Sequence, residues 1–466
     1  MRQFIRQNLV FVAAFTLAAA GLRATFIHYF PGVVNDSWVY GDIAKNWLQH
    51  GIYGLSGTEE VSATYIRLPG YPAFLAFIFA IFGMEHYRAV LIAQLFIDIG
   101  TCFLCCDIAL RLFNVRAAKI AFALAALCPF LADYSAAALT ETLEVFFTAL
   151  ALDFALRALQ GISIACWGLC GLACGAAILL RPDGMLLLIA IDIYIFWNLL
   201  PKEGPRDRRL LKSALLVTFL ALAPLIPWTV RNWRAFQRFQ PLAPRYANEE
   251  DEFVPMGFNR WVKTWMADYV SVEEIYWPVP GSEIDLSKLP ARAYDNPQEE
   301  KATADLISDY NAALHISPQL DQRFQNLAAE RIRSHPFRYY LFLPALRIAD
   351  MWLRPRTEAL PPDSRWWEFN DDLRWSALAV GFGVINFGYV LFALFGWLRF
   401  RKVEFVALLT LLVVLRSVFL GTLENPEPRY TLELYPIVIV LAGAFFAGRQ
   451  LRERRVSHAE ARAHVF

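Results

Sequence analysis

Apolar stretches of about membrane-crossing length recur along this chain of 466 residues, and they constrain its fold more than any other feature. A helix needs about 20 apolar residues to cross a bilayer, because each residue adds about 1.5 Å to its length. We predict ten such helices, at residues 7–28, 88–110, 117–133, 141–158, 163–180, 183–200, 211–230, 373–396, 403–421 and 431–448. With 57% hydrophobic residues overall, the sequence predicts an all-α polytopic membrane protein.

Basic residues in the short loops predict the orientation, since Lys and Arg collect on the cytoplasmic side of a membrane. They form four clusters, at residues 111–119, 202–212, 399–402 and 449–455. Alternation from a cytoplasmic N-terminus places all four clusters inside. The N-terminal stretch is interpreted as an uncleaved first helix, because Gly21-Leu22-Arg23 is a poor signal-peptide cleavage site.

This orientation leaves large segments outside and defines the predicted domains. The apolar run at 69–83 is short, and counting it as a span would invert the orientation, so we predict an interfacial or re-entrant helix. Residues 337–355 mix aromatic and charged side chains, which predicts another interfacial helix. The domains are an N-terminal transmembrane module at 1–230 with outer loops at 29–87 and 133–141, a mainly helical extracytoplasmic segment at 231–372, C-terminal helices at 373–448 and a cytoplasmic tail at 449–466.

Composition argues against several other classes of site. The net charge is +1, and no basic block has the size or aromatic interleaving of a nucleic-acid site. The seven cysteines all lie in apolar segments, so we expect no disulfide framework. Cys166, Cys170 and Cys174 share one helix face. Without His or carboxylate neighbours, they predict a packing stripe of small residues rather than a metal site.

The stretch "NDSWVYGDIAKNWLQHG", residues 35–51, places two carboxylates just after the first apolar run. Charge at a bilayer face is costly, so Asp36 and Asp42 are candidate functional residues. A second interpretation fits Asp36 equally well, since it could cap the helix that Gly51 ends. Asp42 also fits a solvated or paired residue on the helix surface.

Arg67 precedes "LPGYP", where two prolines fix the entry into the predicted interfacial helix. The planar guanidinium of Arg67 is suited to binding a phosphate with two parallel hydrogen bonds. An arginine that extends its charge to the lipid headgroups explains the pattern equally well. The sequence alone leaves both roles open.

Other charged residues fall at the predicted outer ends of helices. In "TETLEVFF", Glu141 lies in a first helical turn, where the helix dipole alone can explain it. Glu144 lies one turn deeper and needs a partner. The remaining members of this group are Arg181, Asp183, Arg231, Asn232, Glu424, Glu427 and Arg429. Their joint placement predicts a site at this face of the membrane.

The order of these motifs resembles that of the GT-C superfamily of polyprenyl-phosphate-sugar-dependent glycosyltransferases. The motifs are Asp36-x3-Tyr40-x3-Ala44, "RLPGYPAFLA", "TETL", "RPDG", "RN" at the end of a span and "RY" before the last one. Within the superfamily, they look most like the bacterial branch related to protein O-mannosyltransferases and the lipid A aminoarabinose transferase. The resemblance runs to about Tyr435 and is strongest over residues 30–185. It implies a GT-C-like fold in the bacterial inner (cytoplasmic) membrane, with the active site on the extracytoplasmic face.

The resemblance implies an inverting transfer of a sugar from a polyprenyl-phosphate donor to a hydroxyl acceptor on a lipid, glycan or protein. Asp36 and Glu141 take the catalytic positions, and Arg67 and Arg429 are candidates for binding the donor phosphate. The implied substrate-binding residues are Tyr40, Asp42, Tyr71, Arg181, Arg231, Asn232 and Glu424. Relatives often carry two adjacent acids in the first outer loop, whereas Ser37 follows Asp36 here. We therefore assign no metal ligand, although a divalent metal stays possible.

A transporter or flippase for a polyprenyl-linked or amphipathic substrate is the main alternative. Such a protein should show paired repeats and broken helices near the membrane midplane. The sequence shows no internal repeat, and we predict no broken helix. A purely structural membrane protein would leave the outer charges unexplained.

Overall fold

The computed structural model describes residues 1–58, 60–161, 163–199, 208–249, 251–369 and 372–447. Helices dominate this part of the chain, which confirms the predicted all-α class. The two short strands described, Gly54–Ser56 and Val61–Ala63, form an antiparallel hairpin. The basic residues predicted at 202–206 and 449–455, with the predicted tail, lie outside the described residues, and so do the side chains of Arg208 and Arg209.

The described residues form two compact units. Within the described ranges, the first unit comprises residues 1–249, 388–413 and 432–447, and the second comprises residues 251–387 and 414–431. The first unit contains the helices Arg2–Gln7, Leu9–Tyr29, Asn35–His50, Gly70–Phe82, Tyr87–Leu112, Val115–Ala126, Pro129–Ser135, Glu141–Gly161, Ile164–Leu180, Met185–Leu199, Arg208–Leu222, Leu225–Phe236 and Tyr435–Phe445. The second unit contains Met256–Lys263, Tyr269–Ser271, Pro297–Ala313, Pro318–Ser334 and Leu343–Leu353. Leu373–Phe400 and Val406–Gly421 contribute to both units.

Small residues let the helices of the first unit pack closely. A Cβ added to Gly171 would lie 2.7 Å from the carbonyl oxygen of Val217, so only glycine allows these two helices to approach this far. Cys170 and Cys174 are buried on the same helix. Their burial agrees with the predicted packing stripe.

Five of the described helices are long and apolar enough to cross a membrane: Leu9–Tyr29, Tyr87–Leu112, Pro182–Leu199, Leu210–Phe236 and Leu373–Phe400. A sixth arises if the bent pair Val115–Ala126 and Pro129–Ser135 counts as one span. The predicted count of ten is not confirmed. Glu141–Gly161 carries four charged residues, whereas Ile164–Leu180, Val406–Gly421 and Tyr435–Phe445 are shorter than 18 residues.

The prediction of one continuous helix at 117–133 was wrong. The chain bends by 47° between Val115–Ala126 and Pro129–Ser135, because proline supplies no N–H to continue the helical ladder. Arg23 lies at this break and donates hydrogen bonds to the carbonyl oxygens of Ala125 and Ala126. The buried guanidinium also pairs with Asp98 at 2.7 Å. The carbonyl groups freed by the bend therefore have partners within the protein.

The second unit has an aromatic core. Trp261, Trp265 and Phe324 are fully buried there in a cluster with 16 other buried side chains. Pro297–Ala313 and Pro318–Ser334 are the two longest helices of this segment, in keeping with its predicted mainly helical character. Residues 338–342 form a π-helical turn that leads into Leu343–Leu353. Phe337 and Tyr340 are exposed beside this turn, in keeping with a helix that lies on a membrane surface.

Candidate active site

The first outer loop brings together two residues singled out in the sequence. The helix Asn35–His50 begins after Val34, whose N–H is bonded by the Ser37 hydroxyl. Asp36 does not cap this helix; its carboxylate accepts a hydrogen bond from Arg67 Nη2 at 2.9 Å. Gly51 ends the helix in the left-handed conformation, as predicted. Both members of the ion pair remain accessible, with 39% of the Asp36 side chain and 22% of the Arg67 side chain exposed.

Two tyrosine rings, those of Tyr40 and Tyr71, pack next to this ion pair. The guanidinium of Arg67 lies 5.7 Å from the centre of the Tyr40 ring, and Tyr40 packs edge-on against Tyr71. The Tyr71 hydroxyl donates to Gln94 at 2.8 Å. Burial raises the pKa of Tyr40 to about 12, with smaller contributions from the charges of Arg67, Asp36, Arg181 and Glu141. Tyr40 thus remains protonated at neutral pH and lies within electrostatic range of both charged groups.

Backbone pairing ties the first outer loop to the second. Gly32 N donates to the Ala136 carbonyl, and Ala138 N donates to the Gly32 carbonyl, both at 2.8 Å. A Cβ at Gly32 would come within 3.1 Å of Ala137. Gly70 makes a similar approach, since its Cβ would lie 2.6 Å from the Leu179 carbonyl oxygen. The segments that carry Asp36, Arg67, Glu141 and Arg181 are therefore fixed to one another through main-chain contacts.

Arg181 lies near three carboxylates, those of Glu141, Glu144 and Asp183. Its guanidinium lies 4.0 Å from Glu141, 3.7 Å from Glu144 and 3.3 Å from Asp183. Glu141 and Glu144 are both buried at the start of the helix Glu141–Gly161. The prediction that Glu144 needs a partner is confirmed by this contact.

Asp42 faces a different neighbourhood from Asp36. Its carboxylate accepts hydrogen bonds from the backbone N–H and the hydroxyl of Ser56, both at 2.7 Å, and pairs with Lys45 at 3.3 Å. Burial opposes ionisation of Asp42, but these partners outweigh it and lower the pKa. The carboxylate fastens the hairpin to the helix, in line with the predicted paired role.

Arg231 and Asn232 donate hydrogen bonds to backbone carbonyl groups. The Arg231 guanidinium donates to the carbonyl oxygens of Thr64 and Tyr53 and lies among the rings of Tyr53, Trp228 and Phe236. Asn232 is buried and donates to the Gln240 carbonyl. The contacts of Arg231 hold the first outer loop in place. A contact of either residue with substrate stays a prediction.

Arg429 and Glu424 belong to the second unit. Arg429 Nε forms an ion pair with Glu427 at 2.6 Å, and the Tyr430 hydroxyl donates to the same carboxylate. Glu424 is buried in the same loop. Sequence reasoning missed Glu433, which belongs to the first unit and accepts a hydrogen bond from Thr148 at 3.1 Å. A buried acid in the "TLELYP" stretch next to an apolar helix was the available signal.

The described residues do not favour a resident metal ion. No group of three His, Cys, Asp or Glu side chains comes together among them in a way that could hold one. The accessible carboxylate of the candidate site, that of Asp36, is paired with Arg67. We therefore derive no chemical step through a metal.

Comparison with known proteins gives one family match. Residues 67–228 match the dolichyl-phosphate-mannose-protein mannosyltransferase family. This segment runs from Arg67 to Trp228 and includes both Glu141 and Arg181. No protein of curated function matches the sequence.

Solved structures share the fold. The oligosaccharyltransferase AglB from Archaeoglobus fulgidus, solved with an inhibitory peptide and a dolichol-phosphate, aligns with 98% of this chain and 54% of its own, at 14% identity and a TM-score of 0.51. An oligosaccharyltransferase from Archaeoglobus fulgidus in the apo form aligns with 98% of this chain and 54% of its own, at 15% identity and a TM-score of 0.52. The chain thus spans about half the length of these proteins.

A third structure is more distant in fold. ArnT from Cupriavidus metallidurans, solved with undecaprenyl phosphate, aligns with 99% of this chain and 80% of its own at 15% identity, but the TM-score is 0.41. The family match and the fold shared with AglB confirm that the resemblance is to the GT-C superfamily of membrane glycosyltransferases.

Proposed function

We propose that this protein transfers a sugar, with inversion, from a polyprenyl-phosphate donor to a hydroxyl acceptor. The observation that carries the proposal is the accessible Asp36–Arg67 pair, which sets a proton acceptor beside a phosphate-binding cation. The matched family is named for a dolichyl-phosphate donor, and AglB was solved with a dolichol-phosphate. Both names support a lipid-phosphate donor here.

Asp36 is the proposed general base. Its carboxylate takes the proton from the acceptor hydroxyl as the hydroxyl oxygen attacks the anomeric carbon. The bond from that carbon to the phosphate oxygen breaks, and the lipid phosphate leaves with the electron pair. Because the attack comes from the face opposite the leaving group, the anomeric configuration inverts.

Arg67 is the proposed binding residue for the departing phosphate. Among the described residues it donates to Asp36 and to the Ile66 carbonyl, which leaves further guanidinium N–H groups for phosphate oxygens. Negative charge grows on the phosphate as the bond breaks, so a fixed cation stabilises the transition state more than the ground state. Glu141, at the end of the second outer loop, and Arg181, after the helix Ile164–Leu180, shape the same site.

Arg429 stays a candidate for the donor phosphate, although its ion pair with Glu427 supports a second role. The hydrogen bonds from Arg429 and the Tyr430 hydroxyl to one carboxylate hold the loop before the last helix. Loss of Arg429 would then act through the order of that loop.

The proposed site faces the outside of a bacterial inner membrane, as the basic clusters imply. A cysteine placed at the exposed Glu300 tests this orientation. Six of the seven native cysteines are buried, so background labelling is low. Labelling of residue 300 by an impermeant maleimide in intact cells is expected. Labelling only after the inner membrane is opened would contradict the orientation.

One observation bears on the transporter alternative, since the described chain does contain a broken helix. Arg23 already binds the carbonyl groups at that break, which favours a structural origin of the bend. The deciding experiment presents detergent-purified protein with a polyprenyl-phosphate sugar and a hydroxyl acceptor, with no gradient. We expect release of polyprenyl phosphate and formation of a glycosylated acceptor. Intact donor after prolonged incubation, set against a working family member, would contradict the transferase.

A further inference from the structure

A cavity of about 600 Å³ lies within the second unit, and none of the residues assigned a role above lines it. Its size falls within the range of small-molecule sites, about 300–1,000 Å³. Four cationic side chains and two indoles form much of its wall: Lys288, Arg292, Arg354, Arg365, Trp366 and Trp367. We refer to it as the second-unit cavity.

Three of the four cations of this wall keep more than a third of their side chains exposed, whereas Arg354 keeps 8%. Lys288, Arg292 and Arg365 keep 46%, 38% and 34% of their side chains exposed. Glu274, which pairs with both Lys288 and Arg365, keeps 13%. Asp268, the partner of Arg292, keeps 27%. Asp268 and Asp350, the latter 20% exposed, also line the cavity. A molecule that enters it therefore meets these two carboxylates as well as the more exposed N–H donors of Lys288, Arg292 and Arg365.

Several of these donors retain hydrogen-bonding capacity. Arg365 donates two N–H groups to Glu274, at 2.9 and 2.7 Å, and a third to Glu368 at 3.1 Å, which leaves two of its five N–H groups. Lys288 lies 3.6 Å from the same carboxylate, beyond a normal hydrogen bond. The indole N–H of Trp366 is buried and has no hydrogen-bond partner among the described residues. Because a buried donor without a partner is costly, this last group points to an acceptor atom on a ligand.

The two indoles add flat apolar surface next to these donors. The rings of Trp366 and Trp367 lie 5.6 Å apart and nearly perpendicular, so they present two differently oriented faces. The Arg354 guanidinium lies 5.6 Å from the centre of the Trp367 ring and helps to fix it. An indole packs well against the C–H face of a sugar ring while its N–H bonds a hydroxyl.

We propose that the second-unit cavity binds a saccharide that carries an acidic group, either a carboxylate or a phosphate ester. The indoles contact the sugar ring, and the accessible cations bind the oxyanion through charge-assisted hydrogen bonds. A neutral sugar would leave the cations unused, whereas a bare anion would leave the indoles unused. This binding does not depend on the proposed transfer, since it requires no donor lipid.

Calorimetric titration of the full-length protein in detergent tests the proposal with four probes. Trigalacturonate supplies sugar rings with carboxylates, and mannose 6-phosphate supplies a sugar with a phosphate ester. Maltotriose is a neutral trisaccharide, and inorganic phosphate is an anion without a sugar. We expect at least one acidic saccharide to bind more than tenfold tighter than both maltotriose and phosphate. Which of the two binds identifies the acidic group.

Substitutions then place the binding in this cavity. We expect Lys288→Gln and Trp367→Ala each to lower the affinity for the acidic saccharide about tenfold. This is the loss expected for one charge-assisted hydrogen bond or one stacking contact. Lys301→Gln is the matched control, because Lys301 is also an exposed cation of the second unit but does not line the cavity. Unfolding temperatures of all variants show whether they remain folded.

Four results would overturn the proposal. Equal affinity for maltotriose would remove the role of the cations, and equal affinity for inorganic phosphate would reduce the site to an anion site. Parental affinity in both folded cavity variants would place the binding elsewhere. Absence of binding by all four probes at 10-millimolar order would equally end it.

Discussion

Two arginine–carboxylate pairs of nearly the same length occur in the first unit, in opposite surroundings. Arg23 and Asp98 lie 2.7 Å apart with their side chains 0% and 2% exposed. Arg67 and Asp36 lie 2.9 Å apart with 22% and 39% exposed. The buried guanidinium also binds two carbonyl groups at a helix break, so its donors are committed to the fold. The accessible pair keeps donors and acceptors for a partner that the chain does not supply.

The difference shows that the burial of a charged residue in a membrane protein decides whether its loss affects folding or activity. A buried pair that loses one member leaves an uncompensated charge in an apolar interior. An exposed pair that loses one member leaves a charge that water can solvate, so the cost in stability is small. We therefore expect substitutions of the first kind to affect folding and those of the second kind to affect activity.

The largest expected effect is on turnover, from Asp36→Asn. Asparagine keeps the size of the side chain but cannot take a proton from the acceptor hydroxyl. We expect turnover to fall on the order of a hundredfold or more, with an unchanged unfolding temperature. Initial rates of sugar transfer measure this, and Glu85→Gln is the control, because Glu85 is an exposed acid of the same outer loop. Near-parental turnover in the Asn variant would remove Asp36 from the chemistry.

The buried pair should show the opposite result. Arg23→Met leaves Asp98 without its partner and frees two carbonyl groups, which we expect to cost about 3–5 kcal/mol. Arg67→Met should cost less than about 1 kcal/mol. Unfolding in detergent, followed by intrinsic fluorescence, compares the two variants. Equal loss of stability would break the distinction between the pairs.

Arginine-to-lysine substitutions test which arginine binds the donor phosphate. Arg67→Lys keeps the charge but lacks the planar pair of donors, so we expect turnover and affinity for the donor lipid to fall about tenfold. Arg429→Lys should lower both in the same way if Arg429 contacts the phosphate. A drop in stability without a change in donor affinity would instead assign Arg429 to its loop contact with Glu427. Unchanged donor affinity in both variants would end the phosphate-binding role.

The smallest expected effect concerns pH and Asp42, whose partners lie within the chain. Because its pKa is lowered in the folded protein, the folded state favours the ionised form. Its contribution to stability is present above the ordinary pKa of 3.8 and is lost as the pH falls through the lowered value. Asp42→Asn should remove this part of the acid sensitivity, worth less than about 1 kcal/mol for a partly exposed group screened by water. Unfolding temperatures below pH 5 measure it, and identical pH profiles would contradict it.

Sequence reasoning reached the elements more readily than their pairings. Apolar length predicted the all-α class, and the cap at Gly51 followed from glycine's freedom at positive φ. The break before Pro129 was missed, although proline was a visible signal. The contacts of Arg23 with carbonyl groups about a hundred residues away cannot be read from local pattern. Asp36 was compatible with a cap until Val34 was seen at the N-cap position, with its N–H donating to the Ser37 hydroxyl, and Asp36 beside Arg67. The functional roles of these site residues stay predictions.

The pairing of Arg23 also has a consequence for biogenesis. Arg23 emerges from the ribosome long before Asp98 and the carbonyl groups of Ala125 and Ala126. An unpaired arginine within a membrane-spanning helix costs up to several kcal/mol, depending on its depth, so we expect the first helix to insert less completely by itself. We expect the translocon to hold this helix until its partners arrive. Nascent chains truncated before residue 98 should therefore integrate less completely than chains that extend past residue 126.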